Sequence, residues 1–198
     1  MKSFIRMRKN FIVCFRFLLI MTVLTGILYP AVVTVTGYLF FRRKAGGSLV
    51  YLNGRLSGSE LLGQEFSDSK YFWPRPSASG YNTLPSSGSN LGLSNPELRN
   101  TIVSREKEFI AWNGIGAGEA AIPAEMVCAS ASGLDPDISP EAARLQARRV
   151  AAARGFDRQH QEMLMTLIAH QTRNRQFYIL GEPRINVFLL NLMLDNLK

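Results

Sequence analysis

Hydrophobic and polar positions divide the chain into two unlike parts. From Phe17 to Phe41 there is no Asp, Glu, Lys, Arg or His across 25 residues. As a helix such a run spans roughly 37 Å, against about 30 Å for a bilayer's hydrocarbon core. The pattern predicts one transmembrane helix over 17–41. The run is longer than the apolar core of a signal peptide, and its middle, Gly26-Ile27-Leu28-Tyr29-Pro30-Ala31, offers no small-residue cleavage site. An uncleaved anchor is expected. Pro30 removes one helix hydrogen bond, which predicts a kink at Tyr29-Pro30 and a neighbouring subunit packed against it. Tyr29 and Pro30 are therefore candidate partner contacts, with Gly26 and Gly37 as small residues that let another helix approach.

Beyond Lys44 the pattern is shorter-ranged. Ser48-Leu49-Val50-Tyr51-Leu52, then Asn53-Gly54, then Arg55-Leu56-Ser57 reads as a hairpin on a type I′ turn. Residues 67–95 are rich in Ser, Gly, Pro and Asn but contain Tyr71-Phe72-Trp73. A loop of that length inside a compact domain is expected to be ordered and docked on something. Ser94-Asn95-Pro96-Glu97 opens a helix whose apolar face is Leu98, Ile102 and Phe109 and which ends over Asn113 to Gly118. A short strand is expected around Met126–Ala129. Ser139-Pro140-Glu141 opens a helix to Arg154, stopped by Gly155. The next, from Asp157 to about Thr172, sets Met163, Leu164, Leu167 and Ile168 at helical spacing. Ile185 to Leu197 repeats Val187, Leu190, Leu194 and Leu197 on one face, a packed helix too short to span a membrane. The expected class is α+β: one N-terminal transmembrane helix followed by a single mixed α/β extracytoplasmic domain. Its expected parts are a basic cytoplasmic N-terminus (1–16), the transmembrane helix (17–41) and a periplasmic α+β domain (45–198).

Charge sharpens this division. The formal net charge is +8, and Lys2, Arg6, Arg8, Lys9, Arg16, Arg42, Arg43 and Lys44 supply all of it. Residues 45–198 carry 15 basic and 15 acidic side chains. A neutral domain has no surface for tracking phosphates, so nucleic acid is excluded as a partner. Five basic residues precede the run and three follow it, which predicts a cytoplasmic amino terminus. Cys14 and Cys128 are the two cysteines. The outer domain therefore has no internal disulfide and must be held by its core.

Motifs for chemistry are sparse. Gly114-Ile115-Gly116-Ala117-Gly118 follows a helix instead of a strand and misplaces the third glycine of a dinucleotide fingerprint. It reads as a flexible helix end. No phosphate-loop motif occurs. Ser67-Asp68-Ser69-Lys70 fits S-x-x-K without its companion elements. His160 and His170 read as helix-surface residues with no cysteine cluster to complete a metal site. Asp135 and Asp137 flank Pro136 as turn and cap residues. Arg144, Arg148, Arg149 and Arg154 read as a solvated basic helix face. Catalytic and metal-binding residues are therefore not assigned.

Four stretches, in order, resemble the C subunit of the Kdp potassium-transporting P-type ATPase. They are Gly26-Ile27-Leu28-Tyr29-Pro30; Tyr71-Phe72-Trp73-Pro74-Arg75-Pro76-Ser77-Ala78 with Gly80-Tyr81-Asn82 and Ser87-Gly88-Ser89-Asn90-Leu91-Gly92; Ala129 through Ala143; and Gly181-Glu182-Pro183-Arg184-Ile185-Asn186-Val187 with Leu190-Asn191 and Leu194-Asp195. Where this chain has Cys128 and Asp137, that family often has Thr and His. The resemblance implies an accessory, non-catalytic subunit of an ATP-driven potassium uptake pump in a bacterial inner membrane. Its implied partners are a channel-like potassium-translocating subunit, the P-type subunit that hydrolyses ATP and a small lipid-like fourth subunit. It also implies a part in assembly and a catalytic-chaperone effect on ATP affinity. ATP enters by resemblance alone, and no residue is assigned to it. Tyr71, Phe72, Trp73, Arg75, Tyr81, Asn82 and Asn90 are the candidate partner contacts of the outer loop. Trp73→Ala and Arg75→Ala are expected to weaken assembly more than they weaken the domain. The alternative is a membrane-anchored periplasmic serine hydrolase using Ser67 and Lys70.

Overall fold

The computed structural model describes residues 2–52, 54–116, 118 and 120–197, in two compact units, Met1–Ser48 and Leu49–Lys198. Asn53 of the predicted turn and Ala117 of the glycine-rich stretch lie outside the described residues.

In the first unit the helix starts well before the uncharged run. Helix α1 covers Lys2–Thr22, a π-helical segment covers Val23–Leu28, and α2 covers Tyr29–Phe40. Residues Met7–Phe40 are long and apolar enough to cross a membrane, with a mean hydropathy of 2.4 in the best window. The irregularity predicted at Pro30 lies upstream of it as the π segment. Pro30 has no N–H and would crowd the carbonyl four residues before it, and a wider turn relieves this. The Tyr29 N–H accordingly reaches back five residues to the Leu24 carbonyl. Thr22, Thr25 and Thr36 each donate to the carbonyl four residues earlier, at 2.7–2.8 Å, so their hydroxyls need no water. After Phe41 leaves helical geometry, α3 (Arg42–Ala45) adds one basic turn.

The second unit begins with the predicted hairpin. Strands β1 (Leu49–Leu52) and β2 (Arg55–Ser59) pair antiparallel with Leu52 opposite Arg55 and a bulge between Val50 and Tyr51. Gly54 has φ +75°, the left-handed geometry a two-residue turn demands. Helix α4 (Pro96–Asn113) starts at the Asn95 cap and closes on left-handed Gly114. The strand expected around Met126–Ala129 is instead a 3-10 turn, Ala124–Met126. Its N–H groups bond locally, Met126 to Pro123 and Val127 to Ala124, so no ladder partner is needed. Strand β3 (Asp137–Ile138) leads into α5 (Pro140–Ala153), capped by Ser139, and Asp157 caps α6 (Arg158–Gln171). The tail is not wholly helical. Ile185–Asn186 forms β4, paired antiparallel with β3, before α7 (Val187–Leu194) begins at the Asn186 cap.

Helix α5 packs on α4 and α6, and α7 packs on α6. Ala142, Ala143, Ala147 and Ala151 keep α5 slim where its neighbours approach. Phe72, Phe109, Ile138, Leu164, Ile168, Ile185, Leu190 and Leu194 fill the core around it. Each fully buried side chain of that size contributes about 1.5–3 kcal/mol. The mixed α+β class follows from helices on two minimal sheets.

Candidate docking surface

The loop 67–95 has almost no regular structure, so its backbone groups must find partners elsewhere. Two side-chain amides supply them. Asn191 on α7 accepts from the Phe72 N–H (2.8 Å) and donates to the Phe72 carbonyl (2.9 Å). Gln146 on α5 does the same for Trp73, at 2.8 and 3.1 Å. Each amide thus acts as a short stretch of strand. Phe72 is 0% exposed. Its ring is part of the chain's own core, which corrects its assignment as a partner contact.

Arg149 completes this brace and corrects the reading of a solvated basic face. It is 7% exposed. Its guanidinium donates to the Ser69 carbonyl (2.6 Å), the Tyr71 carbonyl (3.0 Å), Asn113 Oδ1 (3.0 Å) and Gln146 Oε1 (2.9 Å), and lies 4.0 Å from the Trp73 ring centre. Burial lowers its pKa to about 10, so it stays charged at neutral pH. Arg154 is also engaged, with the Lys70 carbonyl (2.9 Å) and Asp195 (2.6 Å), whereas Arg144 and Arg148 face solvent.

The other predicted contacts divide between inside and outside. Tyr71 donates to Asp195 at 3.0 Å. Trp73 stands edge-on to Trp112, with ring centres 5.8 Å apart, in a groove of about 250 Å³ that Arg105, Phe109 and Met126 also line. Arg75 pairs with Asp135 at 2.8 Å, and its carbonyl accepts from the Tyr81 hydroxyl at 2.8 Å. Burial pushes the Tyr81 phenol up to about 12. Asn82 and Asn90 are exposed. Tyr29 and Pro30 are exposed on the first unit.

Asp135 and Asp137 do more than shape a turn. Asp135 holds Arg75 and accepts from the Asp137 N–H, while Asp137 pairs with Arg184 at 3.1 Å. Burial raises the Asp137 pKa, and Arg184 only partly opposes it. Gly133, with φ +70°, and Gly88 are needed where the loops meet: a Cβ on Gly88 would lie 3.0 Å from the Ala131 carbonyl oxygen.

Ser67 lies in irregular chain and Lys70 in a turn, and the Lys70 ammonium is taken by Asp68 at 3.2 Å. S-x-x-K chemistry needs the amine beside the serine, and the contact the Lys70 ammonium makes here is with Asp68. His160 pairs with Asp157 (2.6 Å) and stacks on Phe156, and His170 is exposed. Among the described residues no cluster of His, Cys, Asp or Glu could hold a metal.

A surface that sequence reasoning missed lies between α6 and β4. Phe177, Tyr178, Ile179 and Leu180 are 83%, 91%, 77% and 57% exposed. They form the tip of a small hairpin closed by paired bonds at Gln176/Leu180 and Arg173/Arg184. Phe177 (φ +52°) and Tyr178 (φ +63°) both adopt left-handed geometry, which is rare for aromatic residues. The available signal was four consecutive apolar residues with no element to bury them.

A family model described as the c chain of the K+-transporting ATPase matches residues 11–196. The chain belongs to the KdpC family. It is 52% identical over 184 residues to the potassium-transporting ATPase KdpC subunit of Geobacter sulfurreducens, covering 91% of this chain and 94% of that one. The corresponding protein of Polynucleobacter asymbioticus is 48% identical over 185 residues (92% and 95%), and that of Citrifermentans bemidjiense 50% over 182 (90% and 92%). Three of the stretches that carry the KdpC resemblance meet in one place. The 71–92 stretch bonds to 129–143 through Arg75–Asp135, Ser130 N–H to Pro76 and Ser77 to Gly133, and to the last stretch through Asn191 and Asp195. Most of those residues build the domain.

Proposed function

We propose that this chain is the accessory C subunit of an ATP-driven potassium uptake pump of a bacterial inner membrane. One span ties it to the membrane with its amino terminus in the cytoplasm and its outer domain on the far side. It catalyses no reaction itself; a P-type partner hydrolyses ATP and a channel-like partner carries potassium. The observation that carries this reading is the KdpC match over 11–196, which takes in both the apolar helix and the outer domain. The charge bias supports the orientation, with five basic residues before the uncharged run and three after it. An outer domain in that position lies across the membrane from cytosolic ATP. Any effect on ATP affinity then passes through the partners, and the chain's direct work is to hold them together. The test is complementation of a strain lacking the chain, grown at limiting potassium. The full chain restores growth and potassium-stimulated ATP hydrolysis in membranes, and a chain without residues 1–48 restores neither. Equal activity in membranes that lack the chain would refute the proposal.

A further inference from the structure

We infer that the 176–180 hairpin tip is a plug that inserts into an apolar pocket on another protein subunit of the same pump; this rests on the reading of the chain as a pump subunit. A run of four exposed apolar residues is a defect in a free-standing domain unless another surface covers it. The tip is also built to hold its shape. The Gln176 N–H bonds to the Leu180 carbonyl (2.8 Å) and the Leu180 N–H returns to Gln176 (2.9 Å), while Arg173 and Arg184 repeat the exchange below at 2.8 and 3.0 Å. Two aromatic residues stand in left-handed backbone geometry at its apex. Such strain persists where the surroundings impose it, and it clusters at ligand clamps and contact sites. A rigid aromatic presented on a fixed turn loses little freedom on docking, and aromatics are frequent interface anchors.

Area and charge point to the occupant. Aromatic side chains offer roughly 150–250 Å² each, so with Ile179 and Leu180 the tip presents roughly 500 Å² or more. A standard protein interface uses about 800 Å² per partner, so the tip would form most of its core. A lipid surface fits less well. Attraction to anionic headgroups is built from clusters of roughly four or more basic residues. At the foot of this hairpin Arg184 is spent on Asp137, and Asp137 also draws on Arg173. Arg175 and Glu182, both exposed and outside every ion pair among the described residues, are opposite in sign, so the hairpin carries no basic cluster. An apolar plug without a basic cluster at its rim calls for an apolar pocket on a protein.

The test uses the full chain, tagged and co-produced with the other pump subunits. In the Phe177→Ser/Tyr178→Ser variant, recovery of the partners falls at least tenfold with the melting temperature of the chain unchanged. Leu56→Ser/Leu61→Ser, at positions 58% and 50% exposed and outside both the 67–95 loop and the tip, leaves recovery as in the wild type. A photo-crosslinking amino acid in place of Ile179, in an otherwise unchanged chain, joins it to a protein subunit. That second measurement decides the matter if the double variant is unstable. Full recovery by a stable double variant, or crosslinks to lipid alone, would overturn the inference. Failure of the wild-type chain itself to recover partners would instead remove the pump reading, and the plug with it.

Discussion

Asp137 shows how a single acid can be both structural and pH-sensitive. One of its oxygens faces Arg184 at 3.1 Å, and the other, Oδ1, is buried without a hydrogen-bond partner. Burial therefore favours the neutral acid, and its pKa in the fold is raised above the ordinary carboxylate value. A carboxyl raised on folding contributes stability that is fully present below its unfolded pKa and lost as pH rises through the folded one. Asp137→Asn cannot titrate. The melting temperature of the variant should gain on that of the wild type as pH rises through and above the ordinary carboxylate range of about 4, and a constant gap would show that the site is not strained by its charge. Arg149 teaches the complementary lesson. It was grouped with Arg144 and Arg148, although it stands three and seven residues from buried Gln146 and Ala142, in register with the buried stripe of α5. That register was legible; the backbone carbonyls of Ser69 and Tyr71 waiting for it, from a loop some 80 residues earlier, were not.

At the scale of elements, a loop is held as a strand would be, by two helices that lend it amide side chains. Gln146→Leu and Asn191→Leu each leave a loop N–H and carbonyl without their partner. Each should cost about 2–6 kcal/mol in urea unfolding of the second unit, at about 1–3 kcal/mol per stranded group. A loss under half a kilocalorie in both would mean the loop is held mainly by its rings. The helices were readable because their caps are local: Asn95, Ser139 and Asp157 each accept from an N–H two or three residues on. The β3–β4 pair was not, since two-residue strands whose partners lie 47 and 49 positions apart carry no periodicity. Nor was the π segment, where the wider turn of Val23–Leu28 stands in for the kink expected at Pro30.

For the whole molecule, the ordered stretches identified the family while saying little about which residues face outward. Asn82 and Asn90 remain on the surface, as do Tyr29 and Pro30, but Phe72, Arg149 and the Arg75–Asp135 pair are internal fittings. A sequence reports which residue types recur together, and buried braces recur for the same reason contact sites do. The exposed tip at 177–180 emerged only once the fold showed nothing covering it. The chain is a subunit, and its surface makes sense only in a larger assembly. The most direct measurement is recovery of the tagged full-length chain from its native membranes in mild detergent, followed by subunit identification and native mass. The expected result is one complex holding the channel-like and ATP-hydrolysing subunits in constant ratio to this chain. Recovery of the chain as a lone monomer, with the other two subunits assembled without it, would contradict its role as a pump subunit.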